Sequence, residues 1–130
     1  MRTRKRQSDR RGLAVVELAI CLPVLVLIIL GTVEISNGIF LRQSLKIMAF
    51  EGARITVTPD AVLGDVEHQV DVIAESRGVE VISISISPSD FSNQPVGTFI
   101  EVTVVGASSQ AAGMFSNGEF STSVSIMKNH

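Results

Sequence analysis

Three regimes of hydrophobic and polar patterning succeed one another along the 130-residue chain. Residues 13–33, LAVVELAICLPVLVLIILGTV, are apolar on every side, with Glu17 the one charge among 21 positions. As a helix they would span roughly 31 Å, which matches a bilayer hydrocarbon core of about 30 Å. A membrane-spanning helix is the reading. Pro23 removes one backbone donor and crowds the carbonyl of Ala19, so a bend is expected there. A cleaved secretory signal has a shorter apolar run and a small-residue site after it; here the run is long and no A-x-A pattern follows. The pair Arg10-Arg11 alone is weak evidence for twin-arginine export.

Beyond residue 33 the pattern becomes two-faced. No strong breaker occurs before Pro59, so the helix is predicted to continue to about Thr56. Leu41, Leu45, Met48, Gly52 and Ile55 recur at helical spacing on one face. Ile39, Phe40, Ile47 and Phe50 make a second apolar face, with Arg42, Gln43 and Lys46 between the two. One face can dock the protein's own head. The second is left for a partner or for a more enveloping head.

Residues 58–130 read as a small α+β head. Thr58-Pro59-Asp60 has the chemistry of a helix start. Leu63, Val66, Val70 and Ile73 form a stripe to bury, and Gly78 fits a C-terminal stop. Three period-2 segments then predict strands at 79–87, 98–105 and 120–127. Their inner sides are Ile82, Ile84 and Ile86; then Ile100, Val102 and Val104; then Phe120, Val124 and Ile126. Ser and Thr fill most of the other sides, as in an antiparallel sheet with one covered face. The fold class is therefore α+β: a long N-terminal transmembrane helix continuing into a small pilin-like head with one further helix and a three-stranded antiparallel sheet. Residues 88–97 are a turn-rich connector. Residues 106–118 are a longer one with room for a helical turn. So small a head should lean on the long helix.

Charge adds an orientation. The net charge of −2 conceals six bases and one acid in residues 1–12, against five bases and twelve acids in the rest, a net −7. A basic end beside an apolar run is expected to stay in the cytoplasm. That makes residues 1–12 a cytoplasmic leader, 13–33 the span, 34–57 the extramembrane continuation and 58–130 an extracytoplasmic head. The expected place is the cytoplasmic (inner) membrane, as a single-pass protein with the lipid bilayer as partner. There is no Trp or Tyr to stack on bases, and no nucleic-acid partner is expected. Cys21, alone of its kind, cannot form an intrachain disulfide and reads as a small core residue, ahead of an intermolecular bridge or a lipid anchor.

Chemistry-bearing motifs are sparse. The two histidines stand 62 positions apart, and His68 sits between polar neighbours. No metal pattern, nucleophile elbow or phosphate loop occurs. No catalytic residue, metal or cofactor is expected, and the chain reads as a non-enzyme. Glu17 is the residue out of place. A carboxylate at mid-bilayer costs about 2.5–3.5 kcal/mol on insertion scales, and less near an end. Either it snorkels to the cytoplasmic interface, or a cation meets it inside the membrane.

Gly12 follows the basic pair, and Glu17 is the fifth residue after it. Basic leader, Gly, four apolar residues, Glu and a long apolar helix together resemble a prepilin processing site, in which a membrane peptidase cuts after the Gly. Leu13 would become the new N-terminus. An α-amino group is largely protonated at pH 7, and a Glu at this spacing can neutralise that of a neighbouring subunit. Burying both as a pair is tolerable, whereas either alone is costly.

The stretch RRGLAVVELAICLPVLVLIILGTVEISNGIFLRQSLKIMAFEGAR resembles the N-terminal signature of the TadE-like family, minor pilin-like proteins of tight-adherence (Flp-type) pilus systems. The matching features are R-G, V-E-L, L-P before a leucine-rich run, G-x-V-E, and the closing E-G-A-R from Glu51 to Arg54. The family commonly carries Phe or Tyr after the first Glu, where this chain has Leu18. The resemblance implies processing at Gly12 and Leu13 by a prepilin peptidase, an assembly contact at Glu17, and other pilus-assembly subunits as partners. Glu34, also in the signature, reads as a solvated interfacial carboxylate. The rival readings are an uncleaved membrane-anchored binding module that recruits another envelope protein, and a secreted protein with a long signal sequence.

Overall fold

A computed structural model describes residues 5–108 and 118–129, with side chains from residue 12 onward. The order of elements is α1 (Lys5–Thr56), α2 (Leu63–Arg77), β1 (Val79–Ser87), a short 3₁₀ turn (Phe91–Asn93), β2 (Phe99–Ser108) and β3 (Phe120–Met127). The α+β class is as expected. The chain divides into two compact units, Met1–Ser36 and Asn37–His130.

Helix α1 is continuous through Pro23 and ends at Thr56, the expected place. Hydroxyls close its last turn. Thr56 Oγ1 donates to the Ala53 carbonyl (2.7 Å), and Thr58 donates to the Ile55 carbonyl through both Oγ1 (2.6 Å) and its backbone N–H (2.9 Å). Thr58-Pro59-Asp60 therefore finishes α1 and does not start α2. Asp60 has φ of 61°, outside helical backbone. Helix α2 starts instead at Leu63, where the Asp65 carboxylate accepts the Val62 N–H at 3.2 Å. That is the returning half of a capping box. Gly78 ends α2 in the left-handed conformation, as anticipated. On the predicted stripe Val66 and Val70 are buried and Ile73 is half-buried, whereas Leu63 is exposed in the first turn; Ala74 is buried.

The sheet is an antiparallel meander in the order β1-β2-β3, with β2 central. Its register corrects one expectation. Val81 pairs with Gly106 and Ser83 with Val105, so Ile82 is the extra residue of a bulge and lies exposed. The bulge shifts the side-chain phase by one. Val79 and Val81 thereby share the inner face with Ile84 and Ile86. β2 reaches Ser108, beyond the predicted residue 105, because Gly106, Ala107 and Ser108 pair with the first part of β1. The rest of the longer connector, residues 109–117, lies outside the described residues.

The main core joins Leu41, Leu45, Met48, Ala49 and Ala53 of α1 to α2, Val79, Val102 and Val104. A second cluster holds Ala61, Phe91 and Ile100. The connector of residues 88–97 is therefore more than a turn: Phe91 plugs one end of the sheet. The Lys128 ammonium donates to the Phe91 and Ser92 carbonyls at 3.2 and 2.7 Å, and Ser92 Oγ donates to the Ala61 carbonyl at 2.8 Å.

Candidate functional site

In the first unit, the expected processing and assembly residues lie on one helix. Gly12, Leu13 and Glu17 are all exposed on α1, and nothing comes within 4 Å of the position a Cβ on Gly12 would take. Large apolar side chains from Leu13 to Val33 are 45–70 % exposed. The segment holds a window with a mean hydropathy of 3.0 that is entirely unburied, long and apolar enough to cross a membrane. Cys21 is an exposed free thiol, so it is not the core residue expected.

Polar groups in this unit are largely met by the helix itself. Thr32 Oγ1 donates to the Ile28 carbonyl (2.8 Å) and Ser36 Oγ to the Thr32 carbonyl (2.9 Å). Hydroxyls bonded back to the preceding turn suit a helix in a lipid environment. Glu17 has no such recourse. Its carboxylate has no hydrogen bond or ion pair among the described residues.

The second unit explains the end of the signature. Glu51 and Arg54 form an i,i+3 pair at 3.7 Å on the surface, while Gly52 and Ala53 between them are buried. A Cβ on Gly52 would lie 3.2 Å from Val66 Cγ1 and 3.5 Å from side-chain carbons of Val70 and Val102. The small pair thus lets α2 and the sheet approach α1.

The opposite face of α1 stays open. Ile39, Phe40, Ile47 and Phe50 are 39–53 % exposed. Gln43, Lys46, Ile47, Phe50 and Glu51 line a cleft of about 460 Å³ whose far wall is Val124 of β3. Beside it the Arg42 guanidinium sits over the Phe120 ring, 5.0 Å from its centroid. That cation–π contact had no signal in the sequence, because nothing in the pattern sets the register between α1 and β3. No group of three or more metal-ligating side chains occurs among the described residues, and His68 is exposed.

Residues 12–54 match the family described as TadE-like protein. The match covers the segment on which the resemblance rests, so this part of the chain is TadE-like, which suggests a pilus-related protein. No curated protein and no solved structure matches the chain.

Proposed function

We propose that the protein is a minor pilin-like subunit that takes part in assembling a tight-adherence-type pilus. It sits in the cytoplasmic membrane through residues 13–33, with its leader inside and its head outside. A prepilin peptidase removes residues 1–12. Glu17 then meets the freed α-amino group of a neighbouring subunit. The supporting observation is the exposed apolar helix bearing a carboxylate with no partner among the described residues, five residues beyond Gly12, inside the TadE-like segment. A helix with this surface finds its contacts in lipid and in other helices. Its carboxylate must find its cation there too. The protein works by association, not by turnover.

Glu17→Gln keeps the size and removes the charge. Losing one partner of a buried pair costs about 3–5 kcal/mol, against about 1 or less for an exposed pair. The variant should insert and fold normally, yet lose crosslinking to pilus partners and surface piliation. Normal piliation at normal protein levels would return Glu17 to a snorkelling role. Mass spectrometry of membrane-extracted protein should find a chain beginning at Leu13, and Gly12→Phe should retain the leader. A native chain that keeps residues 1–12 favours the uncleaved anchor.

A further inference from the structure

We infer that the open face of α1 in one copy receives the outer face of α2 in a second copy, as a head-to-tail contact between heads. Both surfaces belong to the second unit, and their charges are complementary. On α1, Arg42 and Lys46 stand four residues apart, beside the cleft formed by Ile47, Phe50 and Val124. Neither has a carboxylate partner among the described residues. On α2, Glu67, Asp71 and Glu75 stand at successive four-residue steps, all exposed and without a cation among those residues. Like charges four apart on a helix repel. On α1 the Glu51 carboxylate at the cleft is already paired with Arg54, which leaves Arg42 and Lys46 without a carboxylate, and α2 carries the row of opposite sign.

The apolar parts match as well. Val72 is 50 % exposed among the α2 acids, and Phe50 is 52 % exposed beside the α1 bases. Val72 in the cleft against Ile47 and Phe50 would form the dry centre, with the two charge rows as its rim. Pairing α1 with α1 would set two basic rows together, and like-charge juxtaposition disfavours that partner. The contact joins different surfaces on the two copies, so it does not use itself up. Each head keeps one free α1 face or one free α2 face, and the series extends as a ring or filament. This deepens the assembly reading by naming a contact in the head, separate from Glu17 in the apolar helix.

Full-length protein in membranes, with Cys21→Ala to remove the native thiol, provides the test. One tagged chain carries Phe50→Cys and a second, differently tagged, carries Val72→Cys. Oxidation should give dimers only when both are present, and a chain carrying both changes should give a ladder. Adding Lys46→Glu to the Phe50→Cys chain should abolish the mixed dimer, and Glu75→Lys in the Val72→Cys chain should restore it. Phe50→Cys crosslinking to itself as readily as to the mixture would replace this contact with a symmetric α1 pair. Crosslinks solely to other proteins, no crosslink, or no charge-swap rescue would each overturn it. Glu17→Gln reads leader-dependent helix pairing, so loss of piliation there with the head crosslink intact separates the two ideas.

Discussion

One helix, α1, behaves as two different objects along its length. Between Leu13 and Val33 its large apolar side chains are all exposed, whereas from Leu41 onward one face falls to 0–4 % exposure at Leu41, Leu45, Met48, Ala49 and Ala53. The backbone conformation is the same; the source of stability is not. Its outer part is held by tertiary packing of one apolar face, as most helices in globular proteins are. The inner part is hydrophobic all round and exposed among the described residues, a surface that suits lipid or other helices. Hydrophobicity alone therefore does not say what a residue does for the fold.

Two leucines of α1 break or sustain this contrast most directly. Leu45 is fully buried in the main core, and Leu27 is 69 % exposed. Leu45→Ala should cost the head about 2–5 kcal/mol, and each kcal/mol is worth roughly 4–8 °C of melting temperature in a domain of this size. Leu27→Ala should leave the melting of the head unchanged. Thermal unfolding followed by protease sensitivity, on full-length protein in detergent or nanodiscs, measures both. Equal losses would mean that the two parts of α1 do not differ as described.

A smaller effect is expected at Gly106, where β2 passes under α1. A Cβ there would lie 2.8 Å from the Glu80 carbonyl oxygen and 2.9 Å from Leu45 Cδ2. Leu45 could rotate, but the β1 backbone can yield only by shifting its strand. Overpacking of this kind costs about 1–3 kcal/mol, so Gly106→Ala should lower the urea midpoint of the head. Gly31 in the other part of α1 has nothing within 4 Å of such a Cβ, and Gly31→Ala should not move that midpoint.

Period was legible in the sequence; phase and termination were less so. The stripe Leu41, Leu45, Met48 and Gly52 repeats at helical spacing for long enough that no other element accommodates it. Ile and Ser alternating in β1 fit one face equally well with or without a bulge, and only pairing with Gly106 and Val105 shows that Ile82 is skipped. Thr58 has the chemistry of a cap at either end of a helix, and the Ile55 carbonyl claimed it first. Phe91 looked like a loop residue because its burial comes from Ala61, far away in sequence, and from Ile100 beyond the connector. At the candidate site, the Gly12–Glu17 spacing was visible because it is local. What Glu17 meets was not, since no partner for its carboxylate occurs among the described residues.

The finest test of the contrast is at the other signature glycine, Gly52, where two effects of similar size oppose each other. Ala in a helix interior is favoured over Gly by about 0.8–1.0 kcal/mol. Against that stands the 3.2 Å approach to Val66 Cγ1, with Val70 and Val102 carbons at 3.5 Å. Val66 is fully buried on α2, and a β-branched side chain in a helix is nearly confined to one rotamer. It cannot swing aside, so α2 must back away and loosen contacts along the core. The contact should outweigh the propensity gain, and Gly52→Ala should destabilise the head by up to about 1 kcal/mol. The mechanism has a sharper signature than the sign. If Val66 is the obstacle, Val66→Ala should cost less in the Gly52→Ala background than in the native chain, with a coupling of roughly 0.5–1 kcal/mol. Denaturant melts of the four proteins give that coupling. Strict additivity, or a Gly52→Ala head more stable than native, would mean that α2 does not press on α1 at this point.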